Sequence, residues 1–311
     1  MKKLKALLLF SGGLDSILAA KVLMEQGIKV FPIFFKSYFF GPEITQKSAK
    51  EIGLKLKIFD FSKEHLKTVK KPKFGYGKSI NPCLDCHILM LKKAKEIMKS
   101  EKFDLVATGE VLGERPMSQN KKALELLERE SSLKGYLLRP LSAKLLNPTI
   151  LEKKGLIDRE KLLDIRGRSR KKQIELAKKF KIKWYPTPAG GCLLTDLEFG
   201  KRLKDLLETY PKFNGNEIEL LKLGRHFWQR KIKIVVGRNH QENLKLKDLA
   251  RGKDILIEME NYPGPTTLIR NYNKVKKIPE KTLEKAKFLT KFYSTQARGK
   301  KNVKFKIFQK N

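Results

Sequence analysis

Acidic residues are scarce in this 311-residue chain: 33 Asp and Glu stand against 69 Lys and Arg, for a formal net charge of +36. Such an excess fits a polyanionic partner, nucleic acid first. A lysine-rich proteome alone would raise glutamate as well, and glutamate does not keep pace. Long apolar runs are also missing. No stretch reaches the ~18 apolar residues that a membrane-spanning helix needs. Met1-Lys2-Lys3-Leu4-Lys5 could open a secretory leader, but the apolar stretch behind it is short and runs into a glycine pair instead of a cleavage site. A cytoplasmic protein with no membrane partner is expected. Cysteine is limited to Cys83, Cys86 and Cys192. An odd, sparse set argues against a disulfide framework and leaves reactive or metal-binding roles. Internal repeats and low-complexity tracts are absent.

What is present alternates. Residues 5–10 are a short apolar run that reads as a buried strand. Leu14, Leu18 and Val22 then recur at i+4, which predicts a helix ended by Gly27. Val30 to Phe35 and Leu56 to Phe61 read as strands, Lys47 to Ile52 and Leu89 to Met98 as helical, and Leu105 to Thr108 as a fourth strand. Strands alternating with helices predict an α/β fold, a doubly wound parallel sheet. Glu198 to Glu208 reads as a short helix, and Tyr210 to Gly215 as a linker. Beyond residue 225, Ile232 to Val236, Ile255 to Met259 and Val303 to Phe308 are strand-like and Thr282 to Tyr293 is helix-like. The expected organisation is a domain over 1–209, a linker over 210–224 and a smaller α+β domain over 225–311.

Ser11-Gly12-Gly13-Leu14-Asp15-Ser16 joins the first strand to the first helix. Glycines let backbone turn sharply and approach a ligand. A helix N-terminus adds free N–H groups and partial positive charge, so the segment suits phosphates. Ser11 and Ser16 can add hydroxyl donors. Asp15 is a poor direct partner for phosphate and suits Mg²⁺ or water at a pyrophosphate. The GxxxxGKS/T pattern of a Walker loop does not occur.

Asn81-Pro82-Cys83-Leu84-Asp85-Cys86 holds a CxxC element, which by itself fits metal binding or redox chemistry. Cys192 follows Ala189-Gly190-Gly191 in a loop that begins at Pro186. Turn residues around Cys83 and Cys192 weigh against three buried apolar cysteines. Zinc is not expected, because there is no second CxxC, and His87 reads as a helix residue.

The SGGxDS string resembles the PP-loop ATP pyrophosphatase superfamily, a HUP-like fold. The resemblance implies ATP split into AMP and pyrophosphate, with AMP placed on a carbonyl oxygen of the substrate, and a five-stranded or similar parallel sheet. Ala107-Thr108-Gly109-Glu110 is similar to the second nucleotide-proximal segment of RNA-thiolating members, which implies Ser11, Gly12, Gly13, Asp15, Ser16, Thr108 and Gly109 as nucleotide-site residues. Asn-Pro-Cys-x-x-Cys resembles tRNA 2-thiouridylases, and Leu138-Arg139-Pro140-Leu141 resembles a segment of 4-thiouridine synthetases. The implied activity is tRNA uridine thiolation, with 4-thiouridine favoured over 2-thiouridine, Asp15, Cys83 and Cys192 as catalytic residues, and sulfide or a persulfide-carrying protein as sulfur donor. Two sulfur chemistries stay open. Cys192 carries a persulfide that Cys83 resolves, or Cys83, Cys86 and Cys192 hold a [4Fe–4S] cluster whose fourth iron is free to bind sulfide. Lys36, Arg115 and Arg139 are candidates for electrostatic help.

The last ~85 residues resemble the NFACT RNA-binding domain, through Gly237-Arg238-Asn239, Asn243, Tyr262-Pro263-Gly264-Pro265-Thr266 and Tyr293-Ser294, and imply phosphate contacts without sequence reading. Neither a THUMP-like N-terminal extension nor a β-barrel tail is visible. Gly167-Arg168-Ser169-Arg170-Lys171-Lys172-Gln173 fits a helix cap that contacts phosphate or a solvated basic helix start. A PP-loop ligase acting on a small molecule and a non-catalytic RNA-binding protein remain the competing readings.

Overall fold

Lys5–Leu9 (β1) is apolar on both faces, as a strand buried from both sides must be. In the computed structural model, which describes residues 3–187, 191–273 and 278–310, β1 is the centre of a sheet. Pro188, Ala189 and Gly190 of the glycine-rich loop lie outside the described residues. The chain divides into two units, Met1–Thr195 and Asp196–Asn311.

The first unit runs β1, α1 (Leu14–Glu25), β2 (Lys29–Lys36), α2 (Glu43–Glu51), β3 (Lys57–Asp60), α3 (Ser62–Lys70), α4 (Cys83–Ser100), β4 (Leu105–Thr108), α5 (Lys121–Ser131), β5 (Leu137–Leu138), α6 (Ile150–Lys153) and α7 (Lys171–Lys179). Its five strands are all parallel, in the order β3-β2-β1-β4-β5. Alternation along β1 builds two cores. Ala6 and Leu8 pack with Ile17 and Leu18 of α1. Leu7 points the other way, to Ile88 and Leu91 of α4 and Leu124 and Leu127 of α5. Helices therefore cover both faces, the doubly wound arrangement that the alternation of elements predicts.

Helix α4 starts well before its apolar run. Asp85 in its first turn is buried and accepts the backbone N–H of Lys73 (2.8 Å) and Phe74 (3.1 Å), which anchors the incoming loop. The periodic stretch from Leu89 marks only the part of the helix that meets the sheet.

The second unit holds α8 (Leu197–Thr209), α9 (Gly215–Leu221), β6 (Arg225–Gln229), β7 (Ile232–Val236), α10 (His240–Leu249), β8 (Ile255–Met259), β9 (Thr267–Asn271), α11 (Glu280–Phe292) and β10 (Phe305–Gln309). Its sheet is antiparallel, in the order β10-β8-β9-β7-β6. Val235, Leu256 and Leu268 pack on the face with Leu220 and Leu246, while Ile234, Ile257 and Ile269 pack under Ala286 and Leu289 of α11. The residues that resemble the NFACT domain meet here. Asn239 caps α10 by accepting Glu242 N–H at 3.0 Å. Asn243 donates to the Gly264 carbonyl (3.2 Å) and accepts Thr266 N–H (3.0 Å), and Ser294 donates to the Pro263 carbonyl (2.8 Å).

Candidate active site

The chain leaves β1 toward β2 and later returns on the opposite side at β4. The carboxyl ends of β1 and β4 thus flank the point where the winding reverses, the place where such sheets bind ligands. Both glycine segments open there. Gly12 has φ +79°, a conformation open to glycine, and a Cβ on it would lie 2.7 Å from Thr45 Cα. Thr45 and Ser48 of α2 donate to the carbonyls of Ser11 (2.9 Å) and Gly12 (2.7 Å). Those two hydroxyls fix the loop from the next helix along the chain, a role that spacing in the sequence does not signal.

Gly13 is the N-cap of helix α1 and supplies no side-chain cap, while its own N–H donates to Ser11 Oγ at 3.3 Å, so the first turn of the helix opens on the loop. Ser16 donates its hydroxyl to the Gly13 carbonyl at 2.8 Å, and Ser11 stands exposed and donates to Ser16 Oγ at 3.3 Å. Thr108 donates to Glu110 Oε2 at 3.0 Å. Gly109 is set by close approach: a Cβ there would sit 2.6 Å from Ser16 N and 2.7 Å from the Asp15 carbonyl carbon. Backbone cannot yield as a flexible side chain does. Gly109→Ala is therefore expected to push β4 off the first turn of α1 and to weaken binding of ATP, the nucleotide that the loop's resemblance implies, at least tenfold, about 1.4 kcal/mol. Titration calorimetry checks this, and an unchanged dissociation constant would refute it.

Asp15 lies half-buried, and its Oδ1 is buried with no hydrogen-bond partner. Burial raises its pKa, and the Arg170 guanidinium, 3.9 Å from Oδ2, partly offsets that rise. Arg170 Nε and the Gln173 amide are likewise buried without partners. An unpartnered buried carboxylate oxygen beside a phosphate-type loop fits Mg²⁺, a hard cation that takes one or two carboxylates and otherwise phosphate oxygens and water. Arg170 comes from the basic run over 167–173. The parallel bridge between Leu112 and Arg166 and the Gly167 N–H to Leu112 carbonyl bond (2.7 Å) bring this run to the loop after β4.

The three cysteines gather in the same unit. Cys83 begins α4, where Asn81 Nδ2 donates to its sulfur at 3.3 Å. Cys86, one turn on, is buried with Sγ 2.7 Å from His65 Nε2, and His65 Nδ1 lies 2.6 Å from Ser37 Oγ. His65 is fully buried, stacked on Phe61 at 4.9 Å, and burial lowers its pKa to about 4, so it is neutral at pH 7. Cys192 is held by the Leu193 N–H bond to the Phe39 carbonyl (3.1 Å), and Phe39 in turn meets the His65 ring edge-on at 5.5 Å. Burial pushes the Cys86 thiol well up, and the nearness of Cys192 and Cys83 adds to the rise. Cys192 is pushed up to about 11, first by burial; the Leu194 N–H opposes the rise, Cys83 adds to it, and Arg115 opposes it. All three are free thiols. Among the described residues no three His, Cys, Asp or Glu side chains form a group that could hold a metal ion. Three cysteine sulfurs are nonetheless the soft donors that an iron–sulfur cluster would take.

The charge of the exposed Arg115 opposes, as the smallest contribution, the rise that burial causes at both Asp15 and Cys192. Glu114 beside it is raised by burial and then by Asp15. Lys36 is taken up by Asp60 at 3.5 Å. Arg139 is buried, and its guanidinium is committed inside the fold, to Glu110 (2.9 Å), Glu128 and the Leu124 carbonyl (3.3 Å). It is a core residue, where the sequence offers it as a candidate for electrostatic help in the reaction. His87 Nδ1 donates to the Glu110 carboxylate at 3.0 Å, which ties α4 to the segment after β4.

Residues 2–147 match the family model described as thiamine biosynthesis protein (ThiI), and residues 224–311 match the model of the NFACT protein RNA binding domain. A probable tRNA sulfurtransferase of Finegoldia magna is 31% identical over 45% of this chain and 36% of its own length. A tRNA-specific 2-thiouridylase MnmA of Pseudomonas entomophila is 25% identical over 72% of this chain and 61% of its own. The chain thus spans roughly a third to three fifths of these curated relatives. Among solved structures, a 4-thiouridine synthetase–RNA complex with bound ATP is 20% identical, with a TM-score of 0.38, over 70% of this chain and 52% of that one. No helix among the described residues is long and apolar enough to cross a membrane.

Proposed function

We propose that this chain, which joins a ThiI-type domain to an NFACT-type RNA-binding domain, is an ATP-dependent tRNA uridine sulfurtransferase that makes 4-thiouridine. One observation carries the reading: the glycine loop, with the buried, unpartnered Asp15 Oδ1 beside it, opens where the winding of the parallel sheet reverses, in the same unit as all three cysteines.

The uridine 4-carbonyl oxygen attacks the α-phosphorus of ATP, and the bond to the bridging oxygen breaks to release pyrophosphate. The loop N–H groups at the start of α1 and Arg170 receive the charge that builds on the phosphates. Asp15 would hold Mg²⁺, which when bound neutralises the departing pyrophosphate. Sulfur then attacks C4, and AMP leaves with the former carbonyl oxygen. Cys83, Cys86 and Cys192 would hold the [4Fe–4S] cluster, which when bound supplies an iron site for sulfide. His65 and Ser37 keep Cys86 oriented, and the rings of Phe39 and Phe61 exclude water from that side.

The test separates activation from sulfur transfer. Cys192→Ser is expected to keep tRNA-dependent pyrophosphate release within about tenfold of the parent while 4-thiouridine falls by at least about 10³-fold, since no sulfur remains at that position. Nucleoside mass spectrometry of the tRNA and a pyrophosphate assay read the two steps. Pyrophosphate release on a small carboxylate or amide without RNA would point to a ligase, and absence of ATP binding would point to a non-catalytic RNA-binding protein. Iron content and visible absorbance of anaerobically purified Cys86→Ser distinguish the sulfur chemistries. Loss of iron together with thiolation supports the cluster, and undiminished thiolation without Cys86 supports a Cys83–Cys192 persulfide relay.

A further inference from the structure

Helix α11 buries Thr282, Ala286, Leu289 and Thr290 against its sheet. Its outer face is unusual. Phe288 is 62% exposed and Phe292 is 42% exposed, one turn apart. Their rings stack, with centroids 5.8 Å apart and planes at 22°. The core does not use them, since the helix already has its buried stripe. The stack continues beyond the helix end. Arg298 donates from Nε to the Phe292 carbonyl at 2.8 Å, and its guanidinium lies over the Phe292 ring, 5.0 Å from the centroid. Tyr293 meets Phe292 edge-on at 5.1 Å, and the Arg225 guanidinium of β6 lies over Tyr293 at 4.4 Å.

The charge around these rings has one sign in excess. The sequence of α11 carries four lysines and two glutamates. Glu284 is taken up by Lys287 at 2.7 Å, whereas Lys281 and Lys285, on the same exposed ridge as Phe288, form no ion pair among the described residues. A ridge of Lys281, Lys285, Phe288 and Phe292 follows from their three- and four-residue spacing.

We propose that this face of α11 is a stacking platform for unpaired bases of single-stranded RNA, with the lysines on the phosphates. The inference rests on the reading that RNA is the acceptor, and it locates where an unpaired segment is gripped. Every base has a π-face, so bare rings bind without reading sequence, and flanking cations follow the backbone. A protein partner would instead favour an interface core depleted of lysine, which this ridge is not.

The test uses the full chain and a labelled oligouridylate of about 12 nucleotides, with a duplex of equal length as comparison. Phe288→Ala is expected to weaken the single strand about tenfold and the duplex by less than about twofold. Phe288→Trp is expected to keep the affinity, with its emission quenched as the strand binds. Lys285→Ala should lower the salt slope for the single strand by about 0.7. The thermal midpoint stays put, because the ring is exposed. Parent-like affinity in the Phe288→Ala, Phe292→Ala double variant overturns the platform, as does equal loss on strand and duplex. So does a parent that self-associates in sedimentation through these rings while the variant binds RNA normally. If the parent chain binds no RNA at all, the acceptor reading itself fails; if the parent binds and the double variant binds equally, only the platform does.

Discussion

Asp15→Asn is expected to lower tRNA-dependent pyrophosphate release by about 10²–10³-fold, the scale on which a preorganised electrostatic contact acts in the transition state. The substitution keeps shape and removes one charge. The amide would leave the Arg170 guanidinium, 3.9 Å from the native carboxylate, without its counter-charge, and would offer Mg²⁺ a neutral oxygen. The loss should fall mainly on kcat, since charge on the pyrophosphate builds as it leaves. Stability should move the other way. Burial raises the Asp15 pKa, so the ionised carboxylate is less favoured in the folded state than in the unfolded chain. Stability that the protonated form contributes is present below the unfolded value and is lost as pH rises through the raised one. A neutral amide keeps that contribution at pH 7, and the melting temperature of the variant is therefore expected to hold or rise. A kcat within tenfold of the parent, at saturating Mg²⁺, would falsify the assignment of Asp15; a fall in both activity and melting temperature would mark a folding defect instead.

The largest structural effect is expected at Glu110. Its carboxylate is buried, 2.9 Å from Arg139 Nε and 3.0 Å from His87 Nδ1 and Thr108 Oγ1. Burial alone would raise its pKa, but Arg139 first and then His87 outweigh that and hold it at about 2. Glu110→Ala leaves the Arg139 guanidinium in the core with Glu128 as its remaining carboxylate, at a cost of about 3 kcal/mol, the lower end for a broken buried pair. For a unit of this size that is a fall of roughly 6–12 °C in melting temperature, at 2–4 °C for each kcal/mol. The depressed pKa also sets the pH dependence. The stability from Glu110 is complete above its ordinary value of 4.5 and is lost as pH falls toward about 2. The parent should therefore lose melting temperature across that window more steeply than Glu110→Gln does. A shift below about 2 °C for Glu110→Ala, about 1 kcal/mol or less, would show that Glu128 alone satisfies Arg139.

How far these residues can be read from the chain itself differs by kind. The first strand, the glycine pair and the helix behind it are legible because each is local: an apolar run, two glycines and an i+4 repeat within about twenty residues. The four strands Val30 to Phe35, Leu56 to Phe61, Ile232 to Val236 and Ile255 to Met259 fall within a residue or two of the observed ones for the same reason. Helix α5 and strand β9 escape that reading. In α5 the apolar stripe is interrupted by Lys and Glu, and β9 carries Arg270, which is tolerated in a buried strand because Asp254 (2.6 Å), Asn216 (2.7 Å) and the Leu249 carbonyl (2.9 Å) accept from it. A two-residue strand such as β5 has no period to detect.

The phosphate-type loop, the parallel α/β order, the three sulfurs and the cationic excess are legible along the chain, because backbone freedom, periodicity and charge are properties of short segments or of composition. The remaining placements depend on folding. It committed Arg139 to the core and Lys36 to Asp60, held the loop from Thr45 and Ser48, set His65 against Cys86, and placed Arg170 and Arg115 beside Asp15. The pairing of His65 with Cys86 spans 21 positions of chain, and that of Arg139 with Glu110 spans 29. Which arginine stays exposed, as Arg115 does, and which closes a buried ion pair, as Arg139 does, is set by burial, and burial exists only once the sheet has folded.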